Sequence, residues 1–316
     1  MRKIISLLFI LTATSGFAQY KITENKQHAF PKTIPAGNYS GITWLGENRY
    51  AVVNDKAKED GFHIFEIDVD SVSGEIISAQ NTGFYSSGFP NRDNEGIAYN
   101  RAANTMLISG ETDNRILEYS LNGMRTLREA TMPDYYKQLP NNLGLEALSF
   151  NNHTQTLWTC NESNSIVIQC FDSLYRPLQA YDYRLDPPEA DKTKAQYYAH
   201  GVGTICALDD GSLLLLEREL YTPKSKLGAF VKCKLYHFVP NSASKQKLAE
   251  WRTSLSLFGR NFANYEGMCL GPTLSDGSRV IILVADSQNQ YAGILKDWLK
   301  SLKLEREQPA ELRSLP

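Results

Sequence analysis

The chain repeats itself, and this constrains its fold more than any other feature. Five segments share one pattern: YSGITWLGENRYAVVND from Tyr39, NEGIAYNRAANTMLISGE from Asn94, GLEALSFNNHTQTLWTCNE from Gly144, GVGTICALDDGSLLLLERE from Gly201 and YEGMCLGPTLSDGSRVIILVADS from Tyr265. Each opens beside a glycine, passes through a short strand and a polar turn, and continues in an apolar strand ending on a polar or acidic residue. The pattern recurs about every 50 to 65 residues, the spacing of repeat architectures. Further strand signals lie between the segments. In FHIFEIDVD, Phe65, Ile67 and Val69 alternate with Glu66, Asp68 and Asp70, the period of a half-buried strand. RILEYSL with TLREATM, SIVIQCF with LQAYDY, and KCKLYHFV with LAEWRTS bring each unit to about four strands.

Repeated units of four antiparallel strands describe an all-β fold, a β-propeller, with five blades visible. The segment Lys21 to Ile34 supplies either a sixth blade or an outer strand that closes the ring against the last blade. A pair of β-sandwiches is the competing all-β arrangement, and the regular spacing argues against it. The apolar positions Leu295, Trp298, Leu299 and Leu302 suit a helix or a final strand. Residues 19–316 are expected to form one domain.

Residues 1–18 carry Arg2 and Lys3, an apolar run from Ile4 to Leu11 and small residues up to Ala18, the layout of a secretory signal peptide. The expectation is export, to the periplasm or the medium, after cleavage near Ala18. The formal charge is −2, and losing Arg2 and Lys3 makes the chain more acidic still. With no dense basic run, neither nucleic acid nor an anionic membrane is an expected partner, and the chain is read as a monomer acting on a small molecule. Cys160, Cys170, Cys206, Cys233 and Cys269 all fall in apolar strand-like segments. Most are expected to be small core residues, with one disulfide left open.

In a propeller the first strand of each blade lines the central channel, so equivalent positions of the repeats meet around one axis. Beside the opening glycine the repeats read Ser40, Glu95, Glu146, Gly203 and Glu266; at the end of the following strand they read Asn54, Glu111, Glu162, Glu217 and Asp286, with Asp55 beside the first. Carboxylates gathered this way repel by roughly 4 kcal/mol per pair at about 4 Å and an effective dielectric near 20. A bound cation, arginine partners or protonation would relieve the repulsion. Oxygen donors without clustered histidine or thiolate suit a hard ion, calcium first and magnesium second. The expected metal ligands are Glu95, Glu146, Glu266, Glu111, Glu162, Glu217 and Asp286. Arg92, Arg115, Arg218 and Arg260 lie near these acids in the chain and are read as their partners or as a clamp for an anionic substrate. Any one of the acids could instead simply pin a loop through backbone amides.

Other chemistries find less support. There is no G-x-S-x-G elbow and no G-x-x-x-x-G-K-[ST] loop, which disfavours an α/β-hydrolase esterase and a P-loop nucleotide site. His28, His63, His153 and His237 are read as surface or strand residues. His200 opens the fourth repeat after the irregular stretch RLDPPEADKTKAQ, which reads as a long loop on the functional face.

The segments DNEGIAYN, NNLGLEALSF and NYEGMCLGP, with LISGETDNRILEYS, TCNES and LVADSQNQ, resemble the exported phytase-like family described as having esterase-like activity of phytase. The similarity runs from about Tyr39 to about Tyr291, and the set of motifs is more specific than any one of them. The resemblance implies a propeller and hydrolysis of a phosphoester or other ester, with calcium as cofactor. Gly203 and Ser40 depart from the acidic pattern and thin the expected ring. Residue roles follow from the repeats: Glu146 and Glu95 as catalytic carboxylates, Arg115 and Arg218 as the substrate clamp, His200 as proton donor to the leaving oxygen. The alternative is a non-catalytic propeller that binds a sugar, a peptide or a partner protein.

Overall fold

A computed structural model describes residues 19–139, 144–162, 165–256 and 260–307. The leader read at 1–18 lies outside the described residues. Strand β1, Gln19–Ala29, precedes the first repeat. Blade one comprises β2 (Tyr39–Gly46), β3 (Arg49–Asn54), β4 (Glu59–Val69) and β5 (Ile76–Pro90), and blade two β6 (Asn94–Asn100), β7 (Thr105–Gly110), β8 (Arg115–Ser120) and β9 (Arg125–Glu129). A four-residue helix, α1 (Asp134–Lys137), leads to blade three: β10 (Leu145–Asn151), β11 (Thr156–Asn161), β12 (Ile166–Phe171) and β13 (Pro177–Tyr183). Blade four holds β14 (Ala195–Ala207), β15 (Leu213–Pro223), β16 (Phe230–Val239) and β17 (Ser244–Ser254). Blade five takes β18 (Asn264–Thr273), β19 (Arg279–Asp286) and β20 (Trp298–Glu307) from the C-terminal part of the chain, and its fourth strand is β1.

The ring therefore closes non-covalently. β1 runs antiparallel to β20, from Gln19 opposite Glu307 to Ala29 opposite Trp298. This resolves two open readings: the N-terminal segment is an outer strand and not a sixth blade, and the tail is a strand and not a helix. The first strands β2, β6, β10, β14 and β18 each touch the next, and β18 returns to β2. All pairings within the blades are antiparallel.

The core follows the blade interfaces. Among the described residues five apolar clusters occur, and each joins two neighbouring blades. Second strands are covered on both sides by adjacent blades. Ala51–Val53, Leu213–Leu216 and Val280–Val284 are accordingly continuous apolar runs with no exposed surface, the composition expected of strands buried on both faces. Outer strands face solvent and alternate; Leu127 in β9 is fully exposed. All five cysteines are buried and free, so the disulfide left open by the sequence does not form. Among the described residues no helix is long and apolar enough to cross a membrane.

Candidate functional site

Every first strand carries one extra residue at the same place. The pairing register skips from Tyr39 to Gly41, Asn94 to Gly96, Leu145 to Ala147, Val202 to Thr204 and Tyr265 to Gly267. The skipped residues are Ser40, Glu95, Glu146, Gly203 and Glu266, the same five that the repeats align. A β-bulge leaves its extra residue unpaired and redirects the side chain; here Glu95, Glu146 and Glu266 meet at the channel axis, while Ser40 Oγ donates to the Asn94 carbonyl at 2.6 Å. Adjacent first strands approach closely at this level: a Cβ on Gly96 would lie 2.6 Å from Leu148 Cβ, and one on Gly41 2.6 Å from the Glu95 carbonyl oxygen. That crowding accounts for Gly41 and Gly96 after their bulges; Ala147 and Thr204 follow the bulges of blades three and four.

A second tier lies above the bulges, with its register one residue later than the sequence alignment placed it in two blades. The residues opposite the pre-bulge positions are Asn54, Gly110, Asn161, Glu217 and Ala285. The next residue in each case is Asp55, Glu111, Glu162, Arg218 or Asp286. Because side chains alternate along a strand, one step changes the face. Glu217 is therefore turned away from the ring. Its carboxylate accepts from Tyr183 Oη at 2.9 Å, Lys245 Nζ at 2.8 Å and the Asp186 amide at 3.1 Å, and pins the loop before β14.

Arg218 takes the place that Glu217 had been given, and it is the hub of the site. Nη1 donates to Glu266 Oε1 and Asn264 Oδ1, both at 2.7 Å; Nη2 donates to Glu146 Oε1 at 3.0 Å and Glu162 Oε1 at 2.9 Å. Burial opposes its charge, yet Glu266, Glu146, Glu162 and Glu95 outweigh burial and hold its pKa above the ordinary arginine value. Gly203 supplies the room: a Cβ there would lie 2.9 Å from Arg218 Cδ and 3.0 Å from Nε. The missing acid of the fourth repeat is thus the space its arginine fills. Gly203→Ala is expected to cost about 1–3 kcal/mol through this overlap, read as a lower urea midpoint.

One arginine does not neutralise the ring. Burial, reinforced by Glu146 and Glu266, pushes the Glu95 pKa well above the carboxylate range; burial and Glu162 do the same to Glu146 against the pull of Arg218. Burial raises Glu266 to about 8, again against Arg218. Asp55 rises to about 7 through burial and the charge of Asp286, with Lys56 opposing. Asp286 and Glu111 are raised by burial, opposed by hydrogen bonds from Gln288 and from the Gly144 amide respectively.

At the mouth one oxygen from each of Asp55, Asp93 and Glu95 lies within 4.8 Å of the others, a group that could hold a metal ion. Lys56 bridges two of them, with Nζ 3.2 Å from Asp55 Oδ2 and 2.5 Å from Asp93 Oδ1. The other Asp55 oxygen, Oδ1, is buried without a hydrogen-bond partner. Asp93 was missed in the sequence because it sits outside the repeated strand. It adopts a φ of 58° just before β6, a conformation aspartate tolerates better than most residues. The signal available was DNEG, an acid two residues before the bulge glutamate.

The remaining sequence candidates lie apart. Arg92 is buried behind blade two on Asp113 at 2.8 Å, the Ile108 carbonyl at 3.1 Å and Tyr119 Oη at 3.2 Å. Arg115 pairs with Glu129 on the exposed flank. Arg260 is exposed and forms a bridge with Leu255 ahead of β18. His200 lies opposite Glu219 in the β14–β15 ladder, on the face away from Arg218. Burial lowers its pKa against the charges of Glu219 and Glu217. None of these four reaches the carboxylate ring: Arg115 and His200 project from the other faces of their strands, and Arg92 and Arg260 sit in the loops before β6 and β18.

Below the acids, Ile42, Ile97, Leu148 and Met268 form an apolar collar. It separates the mouth from a cavity of about 430 Å³ at the other end of the channel, where Arg101 and Arg279 flank Trp44.

Over residues 34–288 the sequence matches the model of a family described as phytase-like, esterase-like activity of phytase. None of the curated proteins matches. Solved structures that resemble the chain include a streptogramin B lyase, 13% identical, covering 90% of this chain and 98% of that one at a TM-score of 0.40. A member of the duf4221 family from Bacteroides vulgatus is 10% identical, with 91% and 99% covered and a TM-score of 0.44. A nidogen/laminin complex gives 9% identity, 87% and 88% covered, and a TM-score of 0.40. At these scores they add nothing to what the strand pairing establishes.

Proposed function

This chain belongs to the phytase-like family described by esterase-like activity of phytase, and from that premise we propose that it hydrolyses an ester at the acidic mouth of its channel with the help of a divalent cation. The observation that carries the proposal is the Asp55–Asp93–Glu95 triad, whose ligand oxygens lie within 4.8 Å of one another beside a buried Asp55 oxygen that has no hydrogen bond. An all-oxygen donor set fits a hard ion, calcium before magnesium. When bound, such an ion supplies polarisation of an ester oxygen and acidification of water. Glu266, whose pKa burial raises to about 8, is placed to hold or release a proton near neutral pH, and burial raises its neighbour Glu146 as well. Arg218 acts as a positioning residue, since its donors fix Glu146, Glu162 and Glu266. We place the reaction outside the cytoplasm on the leader-like composition of residues 1–18, and read the chain as a monomer.

The test is turnover of 4-nitrophenyl butyrate and 4-nitrophenyl phosphate by the calcium-loaded chain. Hydrolysis of at least one is expected, falling by about a hundredfold or more on chelation and in Glu95→Gln, the scale of a lost acid, base or ligand. Turnover that survives both changes would remove the mouth from the mechanism. Calcium binding with no turnover of either compound would favour the binding propeller instead.

A further inference from the structure

The acidic mouth does not stand alone on its face of the ring. β14 and β15 run on past the level of Gly201 and Arg218 as the paired segments 195–200 and 219–223, raising a wall between blades four and five. On the ring side of this wall a cavity of about 410 Å³ opens. Leu220, Leu255, Phe262 and Leu295 line it, and its inner end is closed by Asn264 and Asp286, which belong to the carboxylate site: Asn264 receives Arg218 and donates to Glu266 at 2.7 Å. The outer rim carries Tyr197 and Tyr291, 61% and 48% exposed. There Lys226 from blade four lies 4.5 Å over the Tyr291 ring of blade five.

A ligand lying in this cleft meets carboxylates at one end and hydrocarbon along the rest. Pockets of this size with a few convergent polar groups suit small organic molecules. A polyanion would fare badly at the inner end, facing Asp55, Asp93, Glu111, Glu162 and Asp286 across a mouth whose described cations, Arg218 and Lys56, are already engaged, while the rim cation Lys226 lies over Tyr291; like charges repel strongly at short range. The long wall reflects the irregular stretch before β14. Glu219 holds that stretch in place, accepting from the amides of Glu189 and Ala190 at 2.8 Å.

We propose that this cleft receives the hydrophobic portion of the substrate, so that the ester cleaved carries an aromatic or medium-chain aliphatic group and is not a polyphosphorylated polyol. The proposal rests on the hydrolytic reading of the mouth. Two measurements on the calcium-loaded chain test it. The first compares 4-nitrophenyl acetate, butyrate, hexanoate and octanoate with 4-nitrophenyl phosphate and inositol hexakisphosphate. kcat/KM is expected to rise about threefold or more per buried methylene. The rise should flatten in Leu220→Ser and Tyr197→Ala, so that the octanoate-to-acetate ratio of kcat/KM falls toward one. The second follows fluorescence of the neutral probe N-phenyl-1-naphthylamine, which should bind the native chain and not these variants. Ester turnover indifferent to chain length, or greatest on the phosphorylated compounds, would overturn the cleft assignment and leave the hydrolytic reading standing. Probe binding that the two variants abolish, with no ester turned over, would sink the hydrolytic reading and uphold the cleft as a hydrophobic ligand site. Failure of the probe to bind, or binding that both variants keep, would overturn the proposal.

Discussion

Arg218→Met is expected to destabilise the chain by about 3–5 kcal/mol near pH 8, the range for removing one member of a buried ionic cluster. Methionine keeps a side chain over Gly203 where Arg218 Cδ and Nε lie and removes the guanidinium head, so the loss would come from the charge and its hydrogen bonds. Glu146, Glu162 and Glu266 each lose a hydrogen bond from one guanidinium, and Glu95 loses the nearby positive charge that its own field helps to hold. Replacing a whole buried ion cluster by apolar groups can be neutral, but here the anions remain. The same substitution should cost less near pH 5, where Glu266, its pKa raised to about 8, holds a proton. Urea unfolding at the two pH values separates these cases. An equal loss at both would assign Arg218 a packing role and dismiss the electrostatic one.

The second large effect is on the native chain stripped of divalent cations. The folded pKa of Glu266 is about 8 and that of Asp55 about 7, against ordinary values of 4.5 and 3.8. The folded state therefore holds more protons than the unfolded one across that window. Stability from these groups is fully present below about pH 4 and is lost as pH rises through 7 and 8. His63, lowered to about 4 by burial, acts in the opposite direction but only up to its ordinary value near 6.5. Between pH 6.5 and 8.5 the carboxylates act alone. A tenfold change in proton binding is about 1.4 kcal/mol, so these two acids together should remove about 3 kcal/mol, or roughly 5–10 °C of melting temperature for a chain of this size. Calorimetry across that range reads it directly. A flat profile would mean that the ring is ionised and otherwise compensated.

Much of this site was legible in the sequence because the bulge is written there. Glu95, Glu146 and Glu266 each precede a small residue at the same place in the repeat, and that residue type is what lets first strands meet beside a re-aimed side chain. The second tier was harder. The turns joining first and second strands differ in length, so the separation from bulge residue to second tier is not constant, and reading the polar end of the strand selects Asn54 and Glu217 where Asp55 and Arg218 face the axis. Proximity along the chain misled for Arg115, which strand alternation turns away, and for Arg92 and Arg260, which lie in loops ahead of β6 and β18 and find partners of their own. Asp93 lies in the loop before β6 and carries no repeat signal. Ring closure by β1 was one of two sequence readings, because an eleven-residue strand looks the same whether it starts a blade or completes one.

The most direct measurement is the melting temperature of the chelator-treated chain near pH 8, before and after calcium is added, in the native protein and in Asp55→Asn. An ion held by the triad should stabilise the native chain by about 2.7 kcal/mol at a hundred times its dissociation constant, a rise of several degrees, and should leave Asp55→Asn nearly unmoved. No rise in the native chain, or the same rise in both, would contradict a cation at the mouth.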